Sequence, residues 1–564
     1  MKRNCWLRLL AFAAWLAVPS VAWAQGSQVL PRTYRPRPTS APISAADLMS
    51  RLYLFADDSM MGREAGTVGA MKGTAYIAAE AKRLGLVPAG DSGSYFQNVP
   101  FIARTLDPAT TIGANGATLV AYTDFVTLPF RGAEPRPIQG AEIMYGVTTA
   151  SLADLTADAV KGKFVVMRAS PGVTVRITAA SPLAGAAGVA FIVGPELSPA
   201  VLANGRSATL TLPPAPNAPS ALITLNITSG AAEKLFGKKL DELTAGATGG
   251  RMQGELRYVT RSAPTRNVVA ILRGSDPQLR GEYVAVGAHS DHIGYRAQGA
   301  VDHDSLHLYN QLRYFATENP TGAPLTEEQR SAMRDRLAAI RVNLDSVRAH
   351  HPVRRDSINN GADDDGSGTV TVLELAEAFA KGRVKPKRSL LFVWHTGEEK
   401  GLLGSRYFTD HPTVPRDSIV AQINIDMVGR GAATDLREGR ERYLQLVGSR
   451  RLSTELGDLV ETVNKTEAMP FTFDYTFDAN GHPDNIYCRS DHYNYARYGI
   501  PVVFLTTGLH GDYHQVTDEP QYIDYAHMMR VGRFVFDLVN RVADLDHRPN
   551  VDQPKPDPMG TCRQ

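Results

Sequence analysis

The stretches N-V-V-A-I-L-R-G (Asn267–Gly274) and E-Y-V-A-V-G-A (Glu282–Ala288) decide how this chain reads. Both are near-continuous apolar runs, the signature of strands buried on both faces of a sheet. S-L-L-F-V-W (Ser389–Trp394), S-I-V-A-Q-I-N-I (Ser418–Ile425) and P-V-V-F-L-T-T (Pro501–Thr507) repeat that signature, with helical stretches between them. The implied fold class is α/β: a mixed, mostly parallel sheet with helices on both faces. Ligands of such sheets collect beyond the carboxyl ends of the strands, so chemistry is expected in the residues that follow each run.

Those residues form an unusual set. Glu282–Ala288 leads into His289-Ser290-Asp291, Ser389–Trp394 into Glu398-Glu399, Ser418–Ile425 into Asp426, and Pro501–Thr507 through G-L-H-G-D-Y to His514. A further acidic turn, I-N-N-G-A-D-D-D-G-S-G (Ile358–Gly368), leads through Ser367, read as an N-cap, into the helical T-V-T-V-L-E-L-A-E-A-F. Crowded carboxylates repel one another unless a cation sits between them. The mixed nitrogen and oxygen donors suit Zn²⁺ best, with Mn²⁺ or Co²⁺ as competitors. Two histidines and three carboxylates exceed the needs of a single catalytic zinc, so two ions are expected, with Asp364 the natural bridge. Glu398 and Glu399 are adjacent and face different ways, so one binds metal while the other faces the reacting water as general base. Asp291, two residues beyond His289, is better placed to orient that imidazole than to bind metal itself.

Composition bounds the rest. The chain has 564 residues, 43% hydrophobic and 21% charged, which implies a globular protein of two or three domains. Residues 1–24 carry a basic start, a short apolar run and small residues at Ala22 and Ala24, the pattern of a cleavable signal peptide and hence of a periplasmic or secreted protein. Its removal leaves 57 basic against 58 acidic residues, a balance that excludes a nucleic-acid partner. No later run is long enough to span a membrane. Cys488 and Cys562 remain, and the sequence leaves open whether they pair. Residues 110–260 alternate short strands, clearest at K-G-K-F-V-V-M-R-A and A-G-A-A-G-V-A-F-I-V, with Gly and Pro turns and hold no cluster of His, Asp, Glu and Cys. Between Tyr295 and Asp356 the chain turns charged and helical. Thr326 and Gln329 form a capping box there, and Met333, Leu337, Ile340, Leu344 and Val347 suggest one long helix with a narrow apolar stripe.

The motifs A-H-S-D-H (288–292), N-G-A-D-D-D-G-S-G (360–368), G-E-E-K-G-L-L-G-S (397–405), N-I-D-M (424–427), S-D-H (490–492) and D-Y-H-Q-V-T-D (512–518) together resemble the co-catalytic di-zinc aminopeptidases, with bacterial leucyl aminopeptidases and, more distantly, glutamate carboxypeptidases. The resemblance implies the zinc exopeptidase fold and two Zn²⁺ per chain. His289 and Asp426 would hold one ion and Glu399 and His514 the other, with Asp364 bridging, Glu398 as general base and Asp291 supporting His289. It implies peptide substrates and hydrolysis at the amino end. A glutaminyl cyclase-like zinc acyltransferase and a glutamate carboxypeptidase-like activity are the alternatives. Residues 110–260 resemble an inserted protease-associated domain. The expected organisation is a signal peptide (1–24), an exposed leader (25–43), an N-terminal helical part of the peptidase domain (44–109), the β-rich insert (110–260), the main peptidase domain (261–547) with a helical insertion (296–356), and a flexible tail (548–564).

Overall fold

The computed structural model of this chain describes residues 30–564 apart from 128–132, 171–172, 174, 176, 178–180, 215–219, 318, 320–324, 350–351 and 437–438. The signal-peptide reading of 1–24 lies outside the described residues. From Leu30 onward most of the leader is exposed, as expected, but it is anchored at a few points: Tyr34 and Leu30 lie against the main core, Thr39 Oγ1 donates to Glu377 Oε2 at 2.6 Å, and Ile43 is buried. The aromatic and apolar residues among its prolines are what dock it. Helix α1 (Ala45–Phe55) follows, capped by the Ser44 side chain, and then α2 (Val68–Arg83). The buried Arg51 of α1 is tolerated because Glu374, Glu377 and Glu80 surround it.

Two short strands, β1 (Val87–Pro88) and β2 (Phe96–Val99), precede a β-rich unit. In that unit β3 (Glu142–Thr148), β4 (Phe164–Arg168), β5 (Gly188–Gly194) and β6 (Ile223–Thr228) run parallel as the centre of a six-stranded sheet, with Thr248–Arg251 and Phe125–Thr127 at its edges. It has apolar cores of its own on the two faces of that sheet.

The principal sheet has nine strands. Its members are β7 (Thr265–Leu272), β8 (Tyr283–His289), β9 (Ser389–His395), β10 (Ile419–Ile425), β11 (Tyr443–Val447), β12 (Thr472–Asp474) and β13 (Val502–Thr506), with β1 and β2. The order is β1-β7-β9-β8-β10-β13-β11-β12, and β2 also pairs with β7. The central four, β9-β8-β10-β13, are parallel, while β7 and β11 are antiparallel to their inner neighbours. Alternate residues point to opposite faces. Val284, Val286 and Ala288 join a core shared with α1, α2, α5 (Gly368–Lys381), α7 (Thr454–Thr466) and α8 (Tyr525–Ala543). Ala285, Leu391 and Val393 face α6 (Leu403–Asp410) and the helical turn at Tyr495.

The segment between Tyr295 and Asp356 leaves and re-enters through two short antiparallel pairs, Gly294–Tyr295 with Ile358–Asn359 and Val301–Asp302 with Arg355–Asp356. It contains α3 (His303–Thr317) and α4 (Glu327–Ala339). The capping box at Thr326 and Gln329 is present, but the expected long helix stops at Ala339. Val342 and Asn343 are poor helix residues, and the Asn343 side chain accepts from the Asp345 N–H at 2.9 Å, which favours a turn. The tail is tied down, not flexible. Cys488 and Cys562 form a disulfide, and the Gln564 side chain donates to Phe477 O at 2.9 Å and Ala479 O at 3.0 Å and accepts from the Tyr487 N–H at 2.9 Å.

Candidate metal centre

Parallel register brings the expected residues together. His289 ends β8 directly beside His395 at the end of β9, so Glu398 and Glu399 emerge next to His289. Asp426 follows β10, the next strand over, and the loop after β13 returns His514 to the same edge. His289 Nε2 lies 3.2 Å from Asp364 Oδ1 and 3.6 Å from Asp426 Oδ1. His514 Nε2 lies 3.0 Å from both Asp364 Oδ2 and Glu399 Oε2. Asp364 thus faces both imidazoles, and all five residues expected to bind metal converge.

The two neighbouring aspartates are already occupied, which singles out Asp364. Asp365 accepts from the N–H groups of Gly368 at 2.8 Å, Met427 at 3.2 Å and His289 at 3.0 Å. It therefore caps α5, the role assigned to Ser367 from the sequence. Ser367 is already helical, and its hydroxyl donates to Asp363 Oδ1 at 2.8 Å. Asp363 also accepts from the Gly429 N–H at 2.7 Å. The Asp364 N–H donates to Asp518 at 3.0 Å, so the turn is fixed through its backbone while the Asp364 carboxylate stays unspent. Gly361 permits the turn: its φ is +55°, and an added Cβ would lie 2.3 Å from Asp364 O and 2.5 Å from the His292 ring.

Asp291 orients His289 differently from expectation. Its backbone carbonyl lies 3.0 Å from His289 Nδ1, whereas its carboxylate is 3.8 Å away and accepts from the Glu398 N–H at 3.2 Å. It thereby couples the histidine to the strand end that carries the two glutamates. The glutamates diverge as adjacency demands. Glu399 turns to His514 and His292, and Glu398 lines the open cleft. Burial, with Glu399, Asp426 and Asp491, holds the Glu398 carboxyl well above the usual range, against the pull of His289.

Three residues escaped the sequence reading. His292 is buried with Nδ1 2.8 Å from Glu399 Oε1, and its only signal was its place at the end of A-H-S-D-H. Tyr513 stacks on His514 at 3.9 Å and lines the cleft, and burial beside Asp364 and Glu399 keeps its phenol protonated. Arg63 is fully buried and donates to the carbonyls of Ser290, Phe55, Asn360 and Gly361, clamping the loops that carry His289 and Asp364. Burial pulls its guanidinium down to about 10 despite the opposing aspartates. Arg63→Ala takes the donor from the carbonyls of Phe55, Ser290 and Asn360, while Gly361 O keeps the Gly366 N–H, and should lower stability by about 3 kcal/mol or more, read as the denaturation midpoint of metal-stripped protein; an unchanged midpoint would show that the clamp is dispensable.

The donors fit a metal pair. Asp364 Oδ2, Glu399 Oε1, His514 Nε2 and His292 Nδ1 are buried and face one another at 2.8–3.7 Å, and His292 Nε2 is buried without a hydrogen-bond partner. Burial alone would drive the His289 and His514 imidazoles down, but the facing carboxylates reverse this, lifting His514 to about 10. Carboxylates that draw protons so strongly mark a cavity that lacks positive charge. A third cluster, His303, Asp356 and Glu519, is different: Arg354 Nη2 sits 2.9 Å from Asp356 and 2.6 Å from Glu519 and supplies the cation. The open cleft over His289, Asp364 and Asp426 is walled by Met427, Phe477, Ile486, Phe504 and Leu509, with Arg489 and Tyr513 also lining it.

Residues 340–539 match the family profile described as Peptidase family M28. The chain is similar to Leucine aminopeptidase 1 of Paracoccidioides brasiliensis (strain Pb18), 30% identical over 192 residues, 32% of this chain and 46% of the relative. It is also similar to Leucine aminopeptidase 1 of Ajellomyces capsulatus (strain NAm1 / WU24), 31% identical over 200 residues, 33% of this chain and 48% of the relative. The chain thus spans about half the length of the curated relatives it matches. Among solved structures, an aminopeptidase from Aneurinibacillus sp. strain AM-1 aligns at TM-score 0.48 and 16% identity, covering 91% of this chain and 97% of that one. A zinc aminopeptidase from Bacillus subtilis aligns at TM-score 0.46 and 16% identity, covering 91% and 99%. Over residues 340–539, the chain is thus similar to peptidase family M28.

Proposed function

We propose that this protein is a metallo-aminopeptidase that removes N-terminal residues from peptides using two zinc ions. The observation that carries this reading is the pair of imidazoles, His289 and His514, facing one free carboxylate, Asp364, at the floor of a cleft. His289 and Asp426 would hold one ion, Glu399 and His514 the other, and Asp364 both. Bound there, the pair would polarise the scissile carbonyl and make an attacking water acidic. Glu398, the carboxylate of the cleft wall, takes the proton of that water and passes it to the departing amine. Asp291 is a positioning residue for His289 and Glu398. Tyr513 keeps its proton and offers an O–H to the oxygen on which charge develops. The apolar walls Phe477, Ile486, Phe504 and Leu509 favour an aliphatic or aromatic side chain on the residue removed.

A periplasmic or secreted location accompanies this reading. It rests on the leader sequence and on the Cys488–Cys562 bond, which persists in oxidising compartments. Among the described residues, no helix is long and apolar enough to cross a membrane.

The test is to incubate the zinc-loaded protein with a defined peptide mixture and identify by mass spectrometry which end shortens. Loss of N-terminal residues is expected. Shortening only at the carboxyl end, or formation of pyroglutamate with one zinc per chain, would replace this reading by one of its alternatives.

Acid should remove the metal. In the ion-free site the carboxylates raise both imidazole pKa values, so bound ions displace protons and protons compete harder as pH falls. Zinc content after dialysis should stay near two per chain at about pH 8 and drop below about pH 6, with activity following it. Equal content at both values would contradict the ligand assignment.

A further inference from the structure

The most exposed of the proposed ligands is also in a strained backbone conformation. His514 has φ +58°, the left-handed region that a non-glycine residue holds only when its surroundings enforce it. Its side chain is 34% exposed, and its Nε2 meets the carboxylates of Asp364 and Glu399, each 3.0 Å away. Contacts at the far end of the ring leave the backbone angle to the loop on either side.

That loop is gripped by the inserted segment. Asp512, two residues before His514, is fully buried, and its carboxylate takes Gln311 Nε2 at 2.9 Å and lies 3.0 Å from His307 Nδ1, both from α3. Asn310, on the same helix and also buried, donates to Thr517 Oγ1 at 3.1 Å, and Thr517 in turn donates to Asp512 Oδ1 at 2.6 Å. The helix backbone comes close as well: a Cβ on Gly511 would lie 2.8 Å from Asn310 O. The body of the domain contributes Arg430, 3.3 Å from Asp512 Oδ2. His307 is itself braced by stacking on Tyr522 at 3.9 Å, with the rings 5° from parallel.

Among the described residues of 296–356, none lines the cleft. The segment reaches the site from behind. We propose that α3 is a strut for the second metal ion: His307, Asn310 and Gln311 are positioning residues that act through Asp512 and Thr517 to hold His514 in its left-handed conformation. This rests on the zinc reading above. It predicts an effect confined to one ion, because His289, Asp364 and Asp426 sit on strand ends and on a turn that α3 does not bond.

The experiment is titration of Zn²⁺ into chelator-stripped protein by calorimetry, repeated with Co²⁺ to follow its visible absorption. It compares the parent, His307→Ala/Gln311→Ala, and His307→Gln, which keeps a donor toward Asp512. In the double variant the first equivalent should bind as in the parent and the second at least about tenfold more weakly, as expected when a group behind a ligand is lost. His307→Gln should recover most of that difference. Should the double variant not fold, Gln311→Leu removes one donor from the half-buried helix surface and is read the same way. A folded variant that binds both equivalents like the parent would reduce α3 to scaffolding. A parent that binds fewer than two ions would overturn the zinc reading and the strut with it.

Discussion

Glu398→Gln should lower kcat about a thousandfold while leaving close to two zinc ions per chain. The substitution preserves size and shape and removes only the ability to take up and release a proton. Glu398 lines the cleft, whereas its neighbour Glu399 faces the two imidazoles, so the variant leaves the proposed ligand set untouched. Its raised proton affinity suits a group that must accept a proton and then return it within one turnover. The measurement pairs steady-state kinetics with metal analysis of the same sample. If the variant emerged without metal, the roles of the two glutamates would have to be exchanged.

Asp364→Asn should have the opposite signature, losing both ions and with them all measurable turnover. A neutral amide in place of the bridging carboxylate removes the charge that His289 and His514 share. The fold should survive, because the turn is held by the Asp364 N–H on Asp518 and by the Asp365 carboxylate, neither of which changes. Equilibrium dialysis against zinc reads the loss directly, and circular dichroism of the ion-free proteins checks that the fold is intact. A variant that kept two ions at parental affinity would exclude Asp364 as the bridge.

The sheet and the edge where the donors gather were legible because the evidence for both is local. Five apolar runs mark sheet strands, and the four that lead into the donors, Glu282–Ala288, Ser389–Trp394, Ser418–Ile425 and Pro501–Thr507, are the parallel central ones. The missing parts depend on distant contacts. Arg63 reads as an ordinary surface arginine until Asn360 and Gly361, almost three hundred residues away, are placed against it. His292 closes a recognised motif, but only the fold shows that its ring meets Glu399. Local reading also failed where two local rules competed. Ser367 and Asp365 both suit a helix cap, and the turn geometry assigns the role to Asp365. Similarly, the apolar stripe beyond Ala339 yields to the turn made by Asn343.

The disulfide has a consequence for anyone who produces this protein. Cys488 lies between Ile486 and Arg489 of the cleft wall, and Gln564, two residues beyond Cys562, bridges that wall to Phe477 on the neighbouring segment. Made in a host whose cytosol keeps thiols reduced, the chain would still build its metal floor, which owes nothing to either cysteine. The apolar walls would have lost their covalent latch. Two batches with equal zinc content could then rank the same peptides differently, and the difference would record the oxidation history of the sample, not its sequence.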